Sequence, residues 1–213
     1  IIYSYNYFFK MFTNNFDPIA FNLFIFEIRW YSLAYIFGIL FGWFYCKKFL
    51  IKDKVILSLF DDLITYLIIG IILGGRLGYV LFYSLKYYSE NFIEIFFIWE
   101  GGMSFHGGLI GIMVATYLYS KKHKINKYIF LDLISVSAPI GLFFGRIANF
   151  INGELIGKVT EVPWGVIFPS IDMISRHPSQ LYEALLEGLI LFLILIITIF
   201  KYQYKIGFIS SLF

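Results

Sequence analysis

Residues 68–83 read IIGIILGGRLGYVLFY, an apolar run interrupted by glycines and by a single charge, Arg76. Widened to 63–85, the window supplies the roughly 20 predominantly apolar residues that a helix needs to cross a hydrocarbon layer. Four more windows of this kind flank it, near 30–46, 101–120, 129–145 and 184–200, and a sixth opens at Ile206 and is cut off at Phe213. The expected fold is all-α: a polytopic transmembrane helical bundle of five full spans plus a truncated sixth, forming a single integral membrane domain over residues 1–213. No internal repeat, low-complexity linker or cleavable signal is seen, since the first apolar run lacks a basic leader segment and a small-residue cleavage site. The sequence starts at Ile1, and Met11 is the candidate initiating residue.

Composition points the same way. Of the 213 residues 60% are hydrophobic and 15% charged, and the mean hydropathy is +0.78, more apolar than a soluble globule can bury. The aromatic share of 22% suits cores and the interfacial belts of a bilayer. Disordered, collagen-like and disulfide-rich classes are excluded. The single cysteine, Cys46, lies in an apolar run and reads as a buried spacer. A net charge of +3, with lysines in short clusters, argues against nucleic acid as a partner and for a membrane.

Orientation follows from the basic residues. The connections 47–62, 121–128 and 201–205 carry ten Lys and Arg, whereas the much longer 1–29, 86–100 and 146–183 carry six. By the positive-inside rule the first set faces the cytoplasm. Nine of the fourteen acids lie in the second set. The N-terminus is therefore expected outside, with the long 146–183 connection on the same outer side.

Several polar residues stand where a bilayer disfavours them. Arg76, expected near the middle of the second span, needs an anionic partner or water, because insertion of such a charge costs about 2.5–3.5 kcal/mol on the lenient scale. It either pairs with Asp132 or Glu187 or binds an anionic ligand, and Gly74, Gly75 and Gly78 beside it permit close approach of a backbone or lipid head. In WEGGMSFHGGLIGIMV (99–114), His106 stands between the pairs Gly101–Gly102 and Gly107–Gly108, at the outer end of the third span. Glycines at this density suggest a helix break or a close approach of substrate to backbone. His106 reads either as a satisfied hydrogen-bonder or as an acid, base or donor working near neutral pH.

The densest polar stretch is GRIANFINGELIGK (145–158), where Arg146, Asn149 and Gly153 recur at helical spacing on one face, with Asn152 and Glu154 just beyond. The planar Arg146 fork suits a phosphate, and Asn149 can orient the oxygens beside it. The alternative is a capped helix end whose Arg146 reaches lipid phosphates. RHPSQLYEALLEG (176–188) opens the fifth span, with Pro178 at the first helical position and Gln180, Glu183 and Glu187 along one stripe. Ser179 and Gln180 read at least as well as helix-start residues as they do as catalytic ones. No nucleophile triad emerges from the spacing of Ser104, Ser179, His106 and His177, and no metal-ligand pattern from three histidines and one cysteine. No metal and no cofactor are expected.

These blocks resemble the bacterial prolipoprotein diacylglyceryl transferases, which attach lipid to the lipobox cysteine of exported lipoprotein precursors. The resemblance runs from FDP (16–18) and RWYSLAY (29–35) through GGRLGYVLFY (74–83) and GGMSFHGGLIG (101–111) to GRIANFINGELIG (145–157) and RHPSQLYEALLEG (176–188). It implies that the cysteine thiol attacks the glycerol carbon bearing the phosphate of phosphatidylglycerol, giving a thioether and releasing glycerol phosphate, at the outer face of the bacterial inner membrane. Such an enzyme needs no nucleophile of its own; it needs a clamp for phosphate charge, a means of deprotonating a thiol and a lateral path for lipid.

Residue by residue, Arg146 matches the family's essential arginine and takes the lipid phosphate. His106 matches the histidine of the family's His-Gly-Gly block, for the thiol proton or the head group. Asn149, Glu154 and Gly157 match signature residues that shape the head-group pocket, Tyr31 matches a family tyrosine that also reads as an interfacial anchor, and Arg76 joins the substrate-binding set. The implied partners are phosphatidylglycerol, a prolipoprotein signal peptide carrying the lipobox cysteine, and membrane lipid. Family members usually continue past the position matching Phe213 and contribute a further functional arginine there, so the chain is expected to be truncated at its C-terminus. Two other readings compete: an inactive or incomplete fragment whose charges only pair helices, and a transporter for an anionic solute, which would need paired broken helices and a repeat.

Overall fold

The computed structural model describes residues 11–24, 26–202 and 205–213. The first ten residues, assigned above to an outer connection, and residues 203–204 of the third inner connection lie outside this set. The chain is mostly helical: α1 (Trp30–Tyr45, continued by a π turn at Cys46–Leu50), α2 (Lys54–Tyr83), α3 (Leu85–Glu90), two 3₁₀ turns (Phe92–Phe96 and Ile98–Glu100), α4 (Phe105–His123), α5 (Lys127–Asn152), α6 (Ser179–Glu183, passing through a π stretch at Ala184–Ile190 into α7, Leu191–Lys201) and α8 (Phe208–Leu212). Four of these are long and apolar enough to cross a membrane: Trp30–Leu50, Lys54–Tyr83, Lys127–Asn152 and Ser179–Lys201. The window at 101–120 is helical from Phe105 onward, but α4 is shorter than those four and ends in Lys121, Lys122 and His123, so it is not among them.

Helix ends depart from the apolar windows because caps, not hydropathy, set them. Asp53 accepts from the Val55 and Ile56 amides, starting α2 nine residues before the apolar window does. Such a cap contributes about 1 kcal/mol. Arg76 consequently sits two turns from the C-terminal end of α2 instead of at its middle. Pro178 takes the cap position of α6 and Ser179 the first helical one. The all-α expectation needs a correction in the connections, where the described residues include five short strands. β2 (Ile19–Leu23) and β3 (Phe26–Arg29) make an antiparallel hairpin. β1 (Phe12–Thr13) pairs parallel with β4 (Val166–Ile167), which pairs antiparallel with β5 (Ser175–Arg176). The two-residue strands β1, β4 and β5 are too short to carry a period that a sequence could display.

Contacts divide the described residues into two compact units, one within 11–46 and 135–202 with Phe213, the other of residues 47–134 and 205–212. In the first, Gly38 and Gly42 of α1 pack against Gly141 and Ser137 so closely that a Cβ at Gly38 would stand 2.8 Å from the Gly141 Cα. Phe150, Val166 and Phe168 form a small core over the end of α5, joined by Ile156 and Leu181. In the second unit, Gly70, Gly74 and Gly78 of α2 meet Gly107 and Gly111 of α4. Glycines four apart on both helices let the two backbones touch, which replaces the hydrophobic drive that lipid surroundings remove. The closely spaced glycines flanking His106 thus serve two local ends. Gly101 and Gly102 turn the chain with φ of 88° and 75° before α4 begins, and Gly107 lies against the α2 backbone.

Candidate active site

In the first unit the polar stretch 146–157 meets the start of α6. Helix α5 ends at Asn152, and Gly153, with φ of 67°, stops it by the left-handed conformation usual after a helix. Gly153 therefore does not share the helical face of Arg146 and Asn149, as its spacing suggested. The Glu154 amide closes back on the Asn149 carbonyl at 2.9 Å. The turn aims the Glu154 side chain at α5, where one carboxylate oxygen accepts from Asn149 Nδ2 at 3.0 Å and the other from Asn152 Nδ2 at 3.2 Å. Asn149 is buried. Gly157 has no room for a side chain, since its Cβ would stand 2.5 Å from the His177 carbonyl oxygen.

Arg146 presents its fork to α6 and the π stretch that follows it. One terminal nitrogen lies 2.9 Å from Glu183 and the other 3.2 Å from the more exposed Glu187, while Nε is buried without a hydrogen-bond partner among the described residues. Two carboxylates on one guanidinium fix its plane and leave the trio with net negative charge. Glu187, expected as a possible partner of Arg76, belongs instead to Arg146.

Sequence reasoning named Ser179 and Gln180 but not their contacts, and it assigned no role to Arg176. Gln180 is fully buried and donates through Nε2 to the Glu154 carbonyl. Ser179 Oγ donates to the Leu155 carbonyl at 2.8 Å. Arg176 grips Asp172, four residues before it, by a pair at 2.5 Å, and also reaches the Gly157 carbonyl. The Arg176 hydrogen bonds hold the Asp172 carboxyl below its ordinary range. Close by, Tyr182 OH accepts from Trp164 Nε1 at 2.8 Å and meets His177 Nδ1 at 3.1 Å. The only sequence signal for these was the polar density of RHPSQ. Tyr31, on the first turn of α1, contacts Tyr35 ring to edge, and their hydroxyls are 3.4 Å apart.

In the second unit Arg76 is buried, and neither carboxylate weighed for it is its partner. Nε donates to the Ile95 carbonyl at 2.9 Å, one terminal nitrogen to the Glu94 backbone carbonyl at 2.6 Å, and the other to the carbonyls of Gly101 and Gly102. The guanidinium also lies 5.1 Å from the Tyr88 ring. Carbonyl dipoles supply the negative potential that the buried cation requires, so Arg76 braces the 94–102 segment. Asp132 is occupied elsewhere, accepting from the Gly207 and Ser210 amides at the start of α8. His106, on the first turn of α4, is exposed, with the edge of Phe105 against its ring.

The apolar helices define an α-helical membrane protein, and the Arg146, Asn149 and Glu154 cluster gives it a polar site at the end of one of them. The profile of the family described as prolipoprotein diacylglyceryl transferase matches residues 18–213, and the chain belongs to that family. It is 54% identical over 189 residues to the phosphatidylglycerol–prolipoprotein diacylglyceryl transferase of Rickettsia bellii strain OSU 85-389, covering 88% of this chain and 72% of the relative. The proteins of the same name from Rickettsia typhi strain Wilmington and Rickettsia canadensis strain McKiel are 53% and 51% identical over 195 and 191 residues, covering 91% and 89% of this chain and 75% and 74% of the relatives.

Proposed function

We propose that this chain transfers the diacylglyceryl group of phosphatidylglycerol to the cysteine thiol of a prolipoprotein. The reading rests on family membership with relatives of that name. The observation that carries it to named residues is Arg146, a guanidinium held by two carboxylates beside Asn149 and Glu154. In the reaction a C–S bond forms at the glycerol carbon bearing the phosphate, the C–O bond to phosphate breaks, and glycerol phosphate leaves while the thiol proton passes to a base.

Arg146 takes the phosphate by exchanging its longer and more exposed partner, Glu187, for a phosphate oxygen, which offsets charge building on the leaving group. Asn149, Glu154 and Gly157 shape the head-group pocket, and Tyr31 flanks the lipid at the outer boundary. His106, exposed on the first turn of α4, accepts the thiol proton or bonds the head group. Arg76 contributes through the segment it braces. The peptide partner is the lipobox-bearing signal segment. The working side is the outer face of the bacterial inner membrane, with the N-terminus outside, α4 as a further span and the chain as one membrane domain; the basic connections support this orientation.

The test is glycerol phosphate release from phosphatidylglycerol micelles. It should require a lipobox peptide with cysteine and stop with the serine peptide. Release that ignores the peptide thiol would rule out thiol transfer.

A further inference from the structure

Gln180 is fully buried one residue into α6, where a leucine or methionine would fill space without stranding a polar atom. Its Nε2 donates to the Glu154 carbonyl, and because a carbonyl only accepts, the amide orientation is settled. Its Oε1 is buried with no partner among the described residues. Packing therefore does not explain the amide, and its single hydrogen bond does. That bond falls on a turn held against its own preference. Gly153 and Leu155, on either side of Glu154, have φ of 67° and 51°, and a bulky residue stays left-handed only where its surroundings over-determine it. Here they do: Gln180 holds the Glu154 carbonyl, Ser179 the Leu155 carbonyl, and the Gly157 amide donates to His177 at 3.1 Å.

We propose that Gln180 is a positioning residue of the lipid site: its amide fixes the turn that directs the Glu154 carboxylate onto Asn149 and Asn152. This inference rests on the transferase reading above. Gln180 touches no substrate and acts through Glu154.

The experiment compares phosphatidylglycerol-dependent modification of a lipobox peptide by the wild-type chain and two variants. Gln180→Met, similar in size but without the donor, should lower kcat/KM about tenfold or more, and in a Glu154→Ala background the same change should cost less than about threefold. Equal losses in both backgrounds would mean that Gln180 merely packs, and would overturn the proposal. Gln180→Glu can hold the carbonyl only as the protonated acid, so its activity relative to wild type should rise on acidification. The neighbouring titratable groups, Glu154, His177, Glu183 and Arg146, are the same in both proteins. A profile parallel to wild type, or inactivity at every pH, also overturns it. A wild-type chain that transfers nothing defeats the transferase reading itself, whereas an active wild type with an indistinguishable Gln180→Met defeats this inference alone.

Discussion

Arg146 shows what residue types reveal and what they conceal. An arginine among asparagines, glycines and a glutamate at a membrane boundary advertises a polar site, and Asn149 and Glu154 do lie together there. Which acid an arginine takes is a property of the fold: Glu187 pairs with Arg146, and Arg76 takes backbone carbonyls, partners that have no sequence signature. Two predictions belong here. Arg146→Ala should lower kcat/KM for lipid by about 100-fold or more while the protein still accumulates in the membrane, as removal of a charge-stabilising donor does; initial rates with varied phosphatidylglycerol measure it. Glu187→Gln should lower KM for the lipid by up to about fivefold, since a half-exposed ion pair contributes no more than about 1 kcal/mol against the incoming phosphate. An unchanged or raised KM would show that Glu187 is not the group displaced.

Elements were legible where they are long. Four apolar windows appear as helices that can cross a membrane, because burial in lipid demands length and apolarity that few other segments have. Their ends were not legible: the Asp53 cap and the Gly153 turn act through single residues. The glycines at 70, 74, 78, 107 and 111 were visible, but that they form one helix contact is seen only once α2 and α4 are side by side. Gly78→Ala would put a Cβ 2.8 Å from the Gly107 Cα. Backbone cannot yield as a side chain does, and the substitution should destabilise the protein by about 1–3 kcal/mol, read as a lower melting temperature in detergent. The Asp172–Arg176 pair makes the β5 segment sensitive to acid. The Asp172 carboxyl titrates lower folded than unfolded, so its stabilisation is present above the ordinary carboxylate range and is lost as pH falls through the folded value. Melting curves from about pH 7 to pH 3 should show wild type above Asp172→Asn at neutral pH and the two converging in acid.

At the scale of the molecule, a polar connection on apolar helices suits an enzyme that draws one substrate from the bilayer and meets the other at its surface. The transporter alternative needs paired broken helices and a repeat, and the described helices instead carry their polar cluster at the end of α5 and the start of α6. The central claim is the transfer itself. Its most direct measurement is the mass of a synthetic lipobox peptide after incubation with this chain in phosphatidylglycerol-containing micelles, with Arg146→Ala in parallel. The account predicts a gain of one diacylglyceryl group on the cysteine that is lost in the variant; an unmodified peptide with the wild-type chain, or equal modification by Arg146→Ala, would contradict it.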